Sequence, residues 1–277
     1  MCRFAAYSGP GRPISYLAID APQAIQRQSC AACEGKTRVN GDGFGLGWYD
    51  LERRPFLFRD TNPAWADENF EAISRSIVAP LYFVHCRAAT GTETARSNCH
   101  PFRHGQFLFM HNGQIGGYAD VRRSVEALID DALYSARRGT SDSEVIFLAA
   151  VSRIATLGVA EAVASVVRDI LSLQSRNGVR SPIRFSAVLS DGETLWAFRW
   201  ASDGRPPSLY TRSDNGEVVI ASEPIDQDRA NWTPVPSGSL TQITRGRITG
   251  RQGFDPASDR AATVSGEYGE ALMGVLP

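Results

Sequence analysis

Cys2 stands directly behind the initiator methionine, at the head of the apolar run MCRFAAYSG (1–9). Chain ends fray, so a thiol placed there is either tied down as packing or put to use. If the methionine is removed, Cys2 carries a free α-amino group on the same residue as its thiol. That amine has an ordinary pKa of roughly 7.7–8.0 and the thiol one of about 8.5. The amine can therefore take the thiol proton, directly or through one water, and a single residue supplies both nucleophile and base. The competing reading is a structural thiol buried on an edge strand.

Three further segments concentrate polar groups that a plain core would not accommodate: VHCRAATGT (84–92), FMHNGQI (109–115) and GTSDSE (139–144). Asn112-Gly113 reads as a tight hairpin turn or as an oxyanion hole. In the second case a side-chain amide and a glycine N–H point at one oxygen. Arg87 follows an apolar strand and is either a salt-bridge partner or a bidentate clamp for a carboxylate. Asp142 falls in the first turn of a helix, where it interacts with the helix dipole or holds an ammonium group. His85 and His111, each beside one of these residues, read as strand-end scaffold.

These groups need elements to position them. Residues 4–8 form a first strand, and 43–50 with 56–60 a strand pair. DENFEAISRSIV (67–78) puts Phe70, Ile73 and Ile77 on one helical face. Residues 81–90 and 105–113 are apolar runs bounded by turn residues, hence strands. Ser141 three residues before Glu144 is a capping-box signature opening a helix over 140–155. A second helix carries Val163, Val166, Val167, Ile170 and Leu171 on one face and stops at Asn177-Gly178. A hairpin turns at Asp191-Gly192, and strands follow at 208–212, 217–224 and 239–244. Strands, two helices and strands again give an α+β layered fold in one domain, spanning 2–250. A tail, 251–277, is loose or packed only through its end.

The chain has 277 residues, 43% of them hydrophobic, 21% charged, with net charge −1. No basic face marks a nucleic-acid partner, no apolar stretch has the length to span a bilayer, and the start lacks a signal-peptide pattern. A cytoplasmic location is expected. Five cysteines are no disulfide framework. Cys30 and Cys33 form a CxxC, but a zinc site would need Cys99 with His100 or His104, at a spacing that matches no usual pattern. They read as two partly buried thiols near a helix end, and no metal is expected. The run GDGFGLG (41–47) is not a nucleotide loop, since its glycines recur at every second position. Such alternation suits a strand approached closely on one face.

The order MCRF (1–4), NGDGFGLGWYD (40–50), HCRAATGT (85–92), NCHPF (98–102), FMHNGQI (109–115) and TSDSEVI (140–146) resembles the class II glutamine amidotransferases, which are N-terminal-nucleophile hydrolases. The likeness extends more weakly through IASEP (220–224) and covers roughly residues 2–245. The resemblance implies an αββα sandwich of two mainly antiparallel sheets between helical layers. It also implies hydrolysis of a γ-glutamyl amide through a γ-glutamyl thioester, without metal or organic cofactor. It assigns Cys2 as nucleophile, Asn112 and Gly113 as oxyanion hole, Arg87 with Thr90 as holder of the substrate carboxylate, and Asp142 as holder of its ammonium group. It places the GDGFGLG strand near the glutamine pocket. The expected ligand is a small γ-glutamyl molecule: glutamine, with ammonia passed to a separate synthase or partner subunit, or a γ-glutamyl thiol or peptide compound. Stand-alone relatives act in ergothioneine synthesis and glutathione breakdown. An inactive binding or regulatory subunit is the reading from another class.

Overall fold

The computed structural model describes residues 2–34, 37–89 and 91–258. In chain order the strands are β1 (Arg3–Pro13), β2 (Phe44–Tyr49), β3 (Pro55–Asp60), β4 (Val78–Cys86), β5 (Phe102–His104), β6 (Phe107–Ile115), β7 (Ile183–Ser190), β8 (Thr194–Ala201), β9 (Tyr210–Asp214), β10 (Glu217–Ala221), β11 (Thr233–Pro234), β12 (Ser239–Thr244) and β13 (Arg247–Gly253). The α-helices are α1 (Ile25–Cys30), α2 (Glu68–Ser76), α3 (Tyr118–Glu126), α4 (Asp131–Tyr134) and α5 (Asp142–Arg176).

Two sheets stack face to face. The first runs β11-β9-β10-β1-β4-β2-β3 and the second β13-β12-β8-β7-β6-β5, with antiparallel neighbours throughout. Strand alternation sorts the apolar residues into three cores. Phe4 and Ala6 of β1, Leu81 and Phe83 of β4, and Leu108 and Met110 of β6 meet between the sheets. Ala5 and Tyr7 of β1, with Tyr82, Val84 and Cys86 of β4, face outward onto α1, α2 and the short helical turn Tyr16–Asp20. Phe109, Phe185 and Ala187 face the other way, onto α3 and α5. Helices, sheet, sheet and helices make the αββα sandwich.

Most expected elements are present. The β2–β3 pair is in register from Phe44 opposite Asp60 to Tyr49 opposite Pro55, and the hairpin turns at Gly192 with φ +94°. Asp67 caps α2 by accepting the Phe70 N–H at 3.0 Å. The two expected helices form one long element, α5, broken at Gly158, whose φ of +72° is not helical; Asn177 and Gly178 end it. The capping box is half formed. Ser141 Oγ accepts the Glu144 N–H at 3.2 Å, but the Glu144 carboxylate accepts from the Arg138 and Gly139 N–H groups instead of the cap.

Other expectations are corrected. β1 lies inside its sheet, not at an edge. Asn112-Gly113 is no turn: both residues are in mid-strand, opposite Ser186 and Phe185 of β7. Cys30 ends α1 as expected, but both it and Cys33 are exposed. By length and composition alone α5 could cross a bilayer; in this fold its residues 143–150 and much of 162–170 are buried. β13 crosses residue 250 and Phe254 packs into the helix-side core. The remainder of the tail, from 259, lies outside the described residues.

The alternating glycines of β2 have a steric cause. A Cβ on Gly45 would overlap the His100 carbonyl, and one on Gly47 would come within 2.6 Å of Pro101 Cγ. Gly45→Ala is expected to destabilise the fold by about 2–3 kcal/mol. Gly253→Ala, where nothing lies within 4 Å, should be nearly neutral. Urea unfolding of the two variants checks this.

Candidate active site

The chain start is fixed by charge as well as by the sheet. Arg3, fully buried, donates to Glu223 Oε1 at 2.7 Å. The same carboxylate accepts the N–H groups of Cys33 and Glu34 at 2.9 and 2.7 Å. One buried ion pair thus ties β1, the segment after β10 and the loop after α1 together, immediately beside Cys2. Sequence reading missed it. The available signal was a charged residue in each of two apolar runs, MCRF and IASEP.

Continuing the β1 alternation puts Cys2 on the inter-sheet side with Phe4 and Ala6, half-buried, its Sγ 3.7 Å from the Ala88 carbonyl oxygen. Burial pushes the thiol pKa up; the Ala88 backbone, the chain's amino group, Arg87 and Arg3 pull it back. A thiol so placed is protonated at neutral pH and needs a base. β6 faces β1 across the sandwich, and its alternation puts Asn112 on the inter-sheet side with Leu108 and Met110. Asn112 is fully buried, and neither atom of its amide has a hydrogen-bond partner among the described residues. Buried amides are nearly always satisfied, so this one is held open. Gly113 has no substitute, because a Cβ there would overlap the Arg184 carbonyl and His111 Nε2.

Arg87 is 3% exposed and has no carboxylate partner among the described residues. Its guanidinium donates to Thr92 Oγ1 at 2.7 Å, to the Glu93 carbonyl at 3.0 Å and to the Asp42 carbonyl at 3.3 Å. Of its five N–H groups, two have no partner among the described residues. Asn98 connects this loop to the start of α5, donating to the Glu93 carbonyl and to Thr140 Oγ1 and accepting the Thr140 N–H. Asp142 is half-buried. Its Oδ2 accepts the Ile115 N–H at 2.7 Å and its Oδ1 the Ser143 N–H at 2.8 Å. It opens on a cavity of about 680 Å³, with Thr92, Ile115, Tyr118 and Thr140 on its walls. Cys2, Arg87, Asn112, Gly113 and Asp142 therefore gather at one end of the sandwich. Thr90 lies outside the described residues.

His85 and His100 are buried beside this set, their rings 4.3 Å apart. Burial, then the neighbouring positive charge, pushes His85 down to about 3 and His100 well below its ordinary value. Both are neutral at working pH and belong to the scaffold. No cluster of metal-ligating side chains occurs among the described residues.

The family model described as "Glutamine amidotransferases class-II" matches residues 18–203. The chain belongs to this family. The chain is 31% identical to a glutamine aminotransferase class-II domain protein of known structure from Silicibacter pomeroyi, covering 93% of this chain and all of that one, with a TM-score of 0.74. It is 26% identical to the probable glutamine amidotransferase DUG3 of Saccharomyces cerevisiae, over the whole chain and 92% of that protein. It is 28% identical to the gamma-glutamyl-hercynylcysteine sulfoxide hydrolase of Mycolicibacterium smegmatis, over 88% of this chain and 96% of that one. Glutamine phosphoribosylpyrophosphate amidotransferase from B. subtilis shares the fold at 15% identity and a TM-score of 0.63, the match covering 92% of this chain and 49% of that one.

Two outcomes follow for the amidotransferase. Glu223→Ala leaves Arg3 buried and unpaired and should cost about 3–5 kcal/mol; replacing both partners with apolar residues should recover much of it, read by denaturant unfolding. The buried histidines make folding acid-sensitive. Their folded pKa values lie below the unfolded value of 6.5, so the unfolded chain binds more protons and stability falls as pH drops below about 6.5. At pH 5 the slope of stability against pH should correspond to roughly two to three protons taken up on unfolding, one each at His85 and His100 and a part at His111, which burial also depresses.

Proposed function

We propose that this amidotransferase hydrolyses the amide of a small γ-glutamyl substrate, with Cys2 as nucleophile. The observation that carries the reading is Arg87, a buried cation with no acid among the described residues. Leaving a charge so placed unpaired is costly, and a bound carboxylate relieves it. Asp142 supplies the opposite charge on a cavity whose wall also includes Thr92 and Glu93, the residues that hold the Arg87 guanidinium. One cation and one anion, reached from a strand that ends in a thiol, match a glutamyl head group carrying both an α-carboxylate and an α-ammonium.

With methionine removed, the α-amine of Cys2 takes the thiol proton and the thiolate attacks the γ-carbonyl. The oxyanion that develops is received by Asn112 Nδ2 and the Gly113 N–H, groups fixed before substrate arrives. The protonated amine returns its proton to the leaving nitrogen, giving a γ-glutamyl thioester. Water, deprotonated by the same amine, cleaves the thioester, releases glutamate and restores the thiol. Arg87 and Asp142 fix the distance from head group to γ-carbon and so select γ-linked glutamate. The similarity to a gamma-glutamyl-hercynylcysteine sulfoxide hydrolase over nearly both chains supports a γ-glutamyl compound with a leaving group larger than ammonia. Glutamine with ammonia delivered to a partner subunit is the competing substrate assignment.

A panel of γ-glutamyl compounds, glutamine included, assayed for glutamate release tests the reading. Intact mass of the protein from its own host should correspond to a chain starting at Cys2. Arg87→Lys should raise KM at least tenfold, because a point charge does not replace the planar fork. Asn112→Ala should lower kcat by about 10²- to 10³-fold while Cys2 remains the cysteine labelled by a γ-glutamyl diazoketone. Label on Cys30, Cys33, Cys86 or Cys99 with Cys2 spared, or a mature chain retaining Met1, overturns the mechanism.

A further inference from the structure

His111, buried on β6, faces away from the inter-sheet space toward α5. Its Nε2 lies 3.2 Å from the Arg184 carbonyl oxygen, which can only accept. The neutral ring therefore carries its proton on Nε2, and Nδ1 is a bare acceptor. Nδ1 lies 2.8 Å from Ser143 Oγ, so the hydroxyl donates to it. The same Oγ lies 3.3 Å from Asp142 Oδ1. One hydroxyl proton cannot serve both acceptors.

We propose that His111 and Ser143 are positioning residues that keep the Ser143 hydroxyl turned away from Asp142, leaving its Oδ1 for the substrate ammonium. The proposal rests on the reading of Asp142 given above. Asp142 already accepts two backbone N–H groups, at 2.7 and 2.8 Å. A carboxylate has about four acceptor positions, and a third protein donor on Oδ1 would take the place a ligand needs and weaken the charge it meets. Protonation of His111 reverses the arrangement. Nδ1 then donates, Ser143 Oγ must accept, and the hydroxyl proton turns to the nearest remaining acceptor, Asp142 Oδ1.

The charged and titratable groups around His111 set where this happens. Asp142, from α5, favours the imidazolium; His85 of β4 and His100 of the segment before β5 stand near it and are themselves neutral. Burial is the largest influence and depresses the His111 pKa below its ordinary value. The hydroxyl thus holds its productive direction at neutral pH and loses it in acid.

The test uses the Cys2→Ala protein, which binds without turnover, and two probes: L-glutamate, and glutarate, which lacks the ammonium. Calorimetric Kd values are measured from pH 8 to 4.5. Glutamate should weaken about tenfold as His111 protonates, the size of one charge-assisted hydrogen bond, while glutarate should not follow that curve. Adding Ser143→Ala should flatten the glutamate curve, and Ser143→Thr, which keeps a hydroxyl, should restore it. An acid weakening unchanged in Ser143→Ala, or shared equally by glutarate, overturns the proposal. Asp142→Asn separates the two failures: if it leaves glutamate and glutarate equally bound as before, the ammonium reading itself is wrong.

Discussion

The structure depends on holding β1, the strand that follows Cys2, in the middle of a sheet. Here β1 is hydrogen-bonded on both sides, by β10 and β4, and its first residue is a buried arginine held by Glu223. Burying a charge pair is weak evidence for stability, since desolvation offsets much of the attraction. Its value here is positional. The Glu223 carboxylate also accepts from the backbone of Cys33 and Glu34, so the strand that follows Cys2 and the loop beside it cannot move independently.

The remaining polar groups are arranged around that fixed point by a division between satisfied and open. Asp142 is held by two backbone N–H groups, and Arg87 by three oxygens. Among the described residues Arg87 has no acid and the Asn112 amide no partner. A protein interior normally closes such groups. Where several stay open at one end of a sandwich, they form the polar end to which the proposed substrate would bind.

What the sequence revealed follows from range. Local signals were legible: the period-two glycines of β2, the Ser141 cap, the stop at Asn177-Gly178, and the segments carrying Cys2, Arg87, Asn112 and Asp142. Contacts between distant residues were not. Arg3 and Glu223 are 220 positions apart, and nothing in either neighbourhood names the other. Asn112-Gly113 carried a strong turn signal, yet the glycine is required by the adjoining Arg184 carbonyl, a tertiary cause. The short elements α1, β5, β11 and β13 carry too few apolar residues for periodicity to show; α3 does carry a stripe, Tyr118, Val121 and Val125, but over only nine residues. The far half of the Ser141–Glu144 box was lost because Glu144 is used by the preceding loop.

The contact of Gly45 and Gly47 with His100 and Pro101 bears on how such a scaffold can change over evolutionary time. Main chain and a proline ring, not adjustable side chains, set the spacing at this end of the sandwich. Residues on these strands cannot be enlarged or reduced to suit a new leaving group without parting the layers. Insertions in the loops after α1 and after β4, which lie outside that strand packing, would be accommodated more easily. Members of such a lineage would be expected to share their strands closely and to differ in those two loops, trading one γ-glutamyl partner for another.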